Sequence, residues 1–411
     1  MGTGCDIVIT GAGIVSAIGI GKGETLRSLL EERTGIAPLR HLRHGPADVI
    51  AGEVKMSDEQ MKRHLGITSE PTTRTSLLGM MALEEALTEA ALLPASAATH
   101  PRTALISGTT VGGMDKSERF YTHFLADDSR NDYILTHDCG STTELIARHF
   151  APPVCPAGKP SLFSIVTTPS TACSSAANAI VTGANLLRSG LADVAVAGGA
   201  ECLSRFHLSG FSSLMIVDHR QCRPFDADRA GLNLGEGAAF LVMESAEHAK
   251  KRKASAMARL SGYGNACDAF HQTASSDDGE GAYLAMRKAL LMAGLRPQDI
   301  GYVNAHGTAT PNNDASESRA LVRLFSPTLP PISSTKGFTG HTTSASGSVE
   351  AVVCLLALQH SMLPASYGFR TPMPDGIVPV AHTVNGHKLR HVMCNSFGFG
   401  GNDTSIILSS L

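Results

Sequence analysis

The chain has 411 residues, of which 43% are apolar and 17% charged, with a formal net charge of −3 at pH 7. That balance describes a soluble globular protein with one large core or two fused ones, and excludes a collagen, a coiled coil and a disordered tail. With no global basic field, nucleic acid is not an expected partner, and no apolar stretch approaches the roughly 20 residues a membrane span needs.

The opening MGTGCDIVITGAG carries no basic segment followed by an apolar one, and Asp6 breaks the myristoylation pattern, so a cytoplasmic protein is expected. Short apolar runs ending in small residues then alternate with helix-like segments, the rhythm of an α/β protein. Strands are expected at 6–13, 103–110, 193–201, 301–307 and 391–401, and helices at 73–92, 174–190, 281–295, 314–325 and 344–362. Helices that are apolar all round belong between layers. The most charged stretch, AEHAKKRKASA at 246–256, marks the border of two halves, 1–250 and 251–411. Each half begins with a strand ending in small residues, ITGAG at 9–13 and LSGYG at 260–264. Each closes on a glycine-rich strand pair, GLNLGEGAAFLVME and FGFGGNDTSIIL. This order of elements reads as an internal duplication.

Several patterns point away from other functions. GAGIVS at 11–16 opens like a dinucleotide fingerprint, but its third glycine is replaced by Ser16, and a tight structural turn is expected instead. FDADRAGLNLGEG at 225–237 resembles a calcium loop, yet Ala230 stands at the third ligand position and Glu236 falls one residue early, so an ordinary loop is expected. The 17 histidines include no H-E-x-x-H and the nine cysteines no C-x-x-C, so neither a metal site nor a redox dithiol is expected.

The segment LFSIVTTPSTACSSAANAIVTGANLLRSG at 162–190 runs from a strand through a short turn into a long helix expected to begin at Cys173. A helix N-terminus stabilises a thiolate, which makes Cys173 a candidate nucleophile; the other reading is a buried structural cysteine. His306 in NAHGTATPNND and His341 in STKGFTGHTTSASGSVEA stand in Gly/Thr-rich turns at the ends of elements. One such cysteine with two such histidines fits carbonyl chemistry.

TACSS, AHGTATPNND, STKGFTGH and NSFGFGG stand in the order and spacing of the enzymes that elongate fatty acids and polyketides. Over nearly its whole length the chain resembles the elongating, Cys-His-His type of β-ketoacyl-acyl-carrier-protein synthase. The resemblance implies a thiolase-like α/β fold, two duplicated halves in five αβαβα layers, with the nucleophile in the first half and both histidines in the second. It implies that Cys173 accepts the acyl chain and that the backbone N–H groups of Cys173 and Phe399 form an oxyanion hole. His306 and His341 would stabilise the enolate left by decarboxylation of a malonyl thioester, Lys336 would support that step, and Glu317 would hold Lys336 in place. Thr308, Thr310 and Thr273 would bind the phosphopantetheine arm, and Phe399 would gate the acyl pocket. No metal, nucleotide or redox cofactor is implied. The partners implied are an acidic acyl carrier protein, met by a patch drawn from Lys62, Arg63, Lys116, Arg119 and Arg205, and a second chain. Whether that chain is another copy or a chain-length subunit stays open, as does the choice between fatty acid and polyketide or polyene assembly.

Departures from the family pattern leave the catalytic letters intact. Where relatives usually read G-H-x-x-G-A-A-G this chain reads GHTTSASG, placing Ser344 and Ser346 at a Gly and an Ala, and Asn402-Asp403 follows GFGG where Thr-Asn is usual. The new hydroxyls would bond back to the helix backbone or adjust the pocket wall. Three rivals are disfavoured: a thiolase or a priming synthase would carry Cys or Asn in place of His341, a non-catalytic chain-length subunit would lack Cys173, and an NAD-binding enzyme would need the fingerprint that Ser16 breaks.

Overall fold

The computed structural model describes residues 6–42, 49–68, 71–93, 102–150 and 162–411; Cys5 and Cys155 lie outside them. The first half contributes β1 (Ile7–Ser16), β2 (Thr103–Gly108), β3 (Ile165–Thr167), β4 (Val194–Glu201) and β5 (Gly237–Ser245). The second contributes β6 (Ala258–Cys267), β7 (Tyr302–Asn304), β8 (Ile332–Ser333), β9 (His391–Gly398) and β10 (Asn402–Ser409). They lie side by side as β8-β7-β9-β10-β6-β1-β5-β4-β2-β3, with a short strand at Gly19–Ile20 paired to β1.

The duplication is visible in this order, because β1-β5-β4-β2-β3 repeats as β6-β10-β9-β7-β8. Directions repeat as well: in each half the first two pairings are antiparallel and the last two parallel. The halves join through antiparallel pairing of β1 with β6, Val8 opposite Arg259 and Ile9 opposite Ala258.

Four helices complete the repeat: α1 (Arg74–Glu89), α2 (Ser175–Arg188), α3 (Glu280–Ala293) and α4 (Ser346–His360). α1 covers the outer face of the first half and α3 that of the second, while α2 and α4 lie between and touch strands of both. Five αβαβα layers result, in a thiolase-like arrangement. Strand alternation feeds the cores: on β5, Leu241 and Met243 face the middle layer with Ile180 and Val352, while Phe240 and Val242 face α1 with Leu77 and Leu83. Ile407 of β10 joins Met286 and Leu290 in the third core. α4 is buried without interruption from Ser346 to Ala357, as its all-round apolar sequence requires.

GAGIVS is not a turn. It is the second part of β1, and its glycines serve packing: a Cβ on Gly13 would lie 2.0 Å from Ala82 O of α1. The equivalent contact recurs in the other half, where a Cβ on Gly264 would lie 2.2 Å from Ala285 O of α3. Bare backbone at these points lets each outer helix rest directly on its strand. The 225–237 segment is a loop, tied down by Asp226, which accepts from the backbone N–H groups of Asp228, Arg370 and Thr371. No helix among the described residues is long and apolar enough to cross a membrane.

Candidate active site

Between β3 and α2 the chain makes a tight turn at Thr171–Ser174. α2 starts at Ser175 with Ser174 as its cap, so Cys173 lies in the turn and does not begin the helix. Ala172 before it has φ 51°, a left-handed conformation that strains a residue with a side chain. Side chains hold it there: Ser175 Oγ donates to Ala172 O and accepts from Thr171 N, and Asn178 donates to Thr171 Oγ1. β9 runs alongside, with Ser396 Oγ donating to Cys173 O at 3.0 Å. A Cβ on Gly398 would lie 3.1 Å from Cys173 N, and the Phe399 N–H just beyond donates to the Cys173 sulfur.

Burial works against the expected resting thiolate. Burial pushes the Cys173 thiol up to about 12, while the Lys336 ammonium and the Phe399 N–H act the other way. Cys173 is only 6% exposed, and the lost hydration of a charged sulfur outweighs what a helix start, one residue removed, can return.

His306 follows β7 and is clamped by Glu317 from the helix Pro311–Phe325. The carboxylate accepts from His306 N at 2.9 Å and Gly307 N at 2.8 Å, and from Asn395 Nδ2 at 3.2 Å. Glu317 therefore holds the histidine turn and not Lys336, contrary to expectation. The ion-pair partner of Lys336 is Glu350 on α4, a residue the sequence reading passed over. Lys336 Nζ also donates to His306 O at 2.5 Å and sits 3.3 Å from His306 Nδ1. Burial pushes Glu317 up to about 7 against its backbone donors, and Glu350 up to about 7 against the pull of Lys336.

His341 lies in the turn leading to α4. Its backbone is fixed on both sides, N donating to Asn233 O at 2.7 Å and O accepting from Gly235 N at 2.9 Å, and its Nδ1 is 2.9 Å from Ser346 Oγ. The rings of His306 and His341 meet edge to face, 5.3 Å between centroids and 83° between planes, with Phe397 5.7 Å from His306. Burial, and then Lys336, hold both imidazoles well below the usual histidine range, so both are neutral. The starts of α2 and α4 abut, a Cβ on Gly347 reaching 2.7 Å from Ala177 N. The duplication thus brings the turn carrying Cys173 and the turn carrying His341 to one place, and the end of β9 links them to His306.

Glu201, the last residue of β4, accepts from Thr109 Oγ1 at 2.8 Å, Thr110 N at 2.8 Å, Thr110 Oγ1 at 2.6 Å and the Ser344 hydroxyl. The Ser344 and Ser346 hydroxyls therefore bind Glu201 and the His341 ring, where bonds back to the helix were one expectation. Thr308 and Thr310 are buried in the turn after His306, their hydroxyls 2.8 Å apart. Thr273 is exposed, its N–H donating to His271 Nδ1 at 3.1 Å, and its neighbour Gln272 accepts from Gly400 N. Phe399 is half-buried and stacks on Phe211, 5.8 Å between centroids.

Of the basic candidates, Lys116 is unavailable to a docking partner. It is buried and paired with Asp58 at 2.7 Å and Asp115 at 3.1 Å. Against burial, Lys116 and Arg74 pull Asp58 down to about 2. Lys62 is half-buried on the helix Asp58–Leu65, and Arg63, Arg119 and Arg205 are exposed. Among the described residues, no group of three or more His, Cys, Asp or Glu side chains is placed to hold a metal ion.

Residues 5–249 match the family described as beta-ketoacyl synthase, N-terminal domain, and residues 257–370 match beta-ketoacyl synthase, C-terminal domain. The chain is 34% identical over 409 residues to nodulation protein E of Rhizobium meliloti, covering 96% of each chain. It is 31% identical over 423 residues to 3-oxoacyl-acyl-carrier-protein synthase 2 of Coxiella burnetii, covering 98% of each. The solved ishigamide ketosynthase/chain length factor superposes with a TM-score of 0.89 over 100% of both chains at 29% identity.

Proposed function

The chain belongs to the β-ketoacyl synthase family, and from that premise we propose that it is an elongating 3-oxoacyl-acyl-carrier-protein synthase that condenses an acyl group on Cys173 with a malonyl thioester. In the first half-reaction, Cys173 Sγ attacks the thioester carbonyl. The oxyanion lies against the N–H groups of Cys173 and Phe399, and the C–S bond to the phosphopantetheine sulfur breaks. With a thiol held at about 12, the nucleophile forms as its proton departs, and that proton ends on the leaving sulfur.

In the second half-reaction, the bond from the malonyl carbon to its carboxylate breaks, carbon dioxide leaves, and the electron pair becomes an enolate. Two neutral imidazoles supply donors to its oxygen without presenting a cation that would bind the malonyl carboxylate. Lys336 at Nδ1 leaves the His306 proton on Nε2. The enolate carbon attacks the acyl carbonyl, a C–C bond forms, the C–S bond breaks, and the Cys173 thiolate takes up one proton from water. The product is a 3-oxoacyl thioester two carbons longer.

The observation that carries this reading is the pair of facing imidazoles beside Lys336, at the meeting of the two helix starts. Intact-mass measurement after incubation with acyl-carrier-protein thioesters should show acyl addition in the wild type and none in Cys173→Ala. His306→Ala and His341→Ala should still load while losing decarboxylation by about 100-fold or more. Condensation by the Cys173 variant would defeat the assignment.

Lys62, Arg63, Arg119 and Arg205 are assigned to carrier-protein docking, with Thr308, Thr310 and Thr273 on the path of the arm. The protein works in the cytoplasm as a dimer. Support for a second chain comes from β3, which ends the sheet with Val166 38% exposed. The ishigamide ketosynthase/chain length factor favours a chain-length subunit as that second chain, and with it a specialised polyketide or polyene pathway.

A further inference from the structure

A neutral imidazole carries one proton on one of two nitrogens, so a histidine that must donate to an enolate needs its tautomer set from the opposite side. An ammonium has no lone pair, and Lys336 therefore sets His306. Among the described residues, no cation stands at His341 Nδ1. Its neighbour there is Ser346 Oγ at 2.9 Å, and the Thr342 hydroxyl donates to the same oxygen at 3.4 Å. A serine hydroxyl carries a single proton. With Thr342 donating inward, that proton is directed to the lone pair of His341 Nδ1. All three side chains are 2% exposed or less, so water does not compete for these groups.

The geometry points to Ser346, backed by Thr342, as a positioning residue that fixes His341 as the Nε2–H tautomer with its ring turned to the chamber, an assignment that rests on the enolate role proposed for His341. Both ends of the contact are built rigidly. Ser346 opens α4 beside Gly347, whose backbone presses on Ala177, and the His341 backbone is held by Asn233 and Gly235. The family pattern resembled by this segment has alanine at this position, so the hydroxyl is a departure of this chain.

The test is nitrogen NMR of the 15N-histidine-labelled full chain at pH 7, with His341 assigned by the loss of its signals in His341→Gln. The wild type should show His341 protonated at Nε2 only; protonation at Nδ1, or at both nitrogens, overturns the inference even if Ser346→Ala does not fold. In Ser346→Ala, mixed tautomers are expected. Its kcat for malonyl-thioester decarboxylation should fall about five- to tenfold, the size of one neutral hydrogen bond, with KM and the acyl loading of Cys173 unchanged. An unchanged tautomer and kcat, or an equal fall in loading and decarboxylation, overturns the inference. A wild type that neither loads nor decarboxylates would overturn the synthase reading instead, and the NMR result would still decide the tautomer.

Discussion

A cysteine held up to about 12 by burial responds to pH differently from one that is already ionised. Alkylation of Cys173 by iodoacetamide should accelerate about tenfold per pH unit between pH 7 and 9, since the reactive thiolate fraction grows by that factor below the pKa. At pH 7 the exposed Cys267 should be modified before Cys173. A Cys173 rate already level at pH 7 would show that the helix start wins over desolvation. The three side chains proposed to react were legible as candidates in the sequence because each stands in a short run of small residues at the end of an element. Charge partners were not. Glu317 and Lys336 fall at the right spacing from their histidines, yet spacing does not say which buried carboxylate reaches an ammonium. The sign of Glu350 was nevertheless present, as the sole acid in a helix apolar on every side, where a carboxylate must find a cation. Lys116 failed for the opposite reason: a charge in MDKSERF reads as solvated until Asp58, far back in the chain, is seen beneath it.

Elements were more legible than their contacts. Alternating apolar runs and helical periodicity located every helix of the repeat and every strand but the two-residue β8, which is too short to show a pattern, and the matching starts ITGAG and LSGYG announced the duplication. The glycines within ITGAG were misassigned to a turn because glycine marks turns and close approaches alike. Only α1, some 60 residues further along, explains them. Gly13→Val and Gly264→Val should each force an outer helix off its strand and destabilise the protein by about 1–3 kcal/mol, measured by thermal unfolding. The two substitutions should be of comparable severity, because the contacts are equivalent. A tolerated change in one half alone would show that the duplicated packing is not equally tight.

At the scale of the whole molecule, stability should fall as pH rises across the neutral range. Burial, with Asp268 and Glu317 nearby, pushes the carboxyl of Asp403 up to about 8 from an ordinary 3.8. Its folded pKa lies above its unfolded one, so the stability it contributes is complete below about pH 4 and is lost as pH rises through 8. Glu317 acts in the same direction between 4.5 and about 7. Asp403→Asn, which places an amide where the family pattern has one, should raise the melting temperature by about 2–4 °C more at pH 8 than at pH 5. An equal change at both values would rule out the titration of Asp403 as the cause. The abutment of Gly347 on Ala177 has a different kind of consequence. Neither half owns the distance across which a new carbon–carbon bond must form; it is settled at a seam with no slack. A molecule whose halves drifted apart there by a fraction of an ångström would keep its spectra and its solubility and still fall silent as a catalyst.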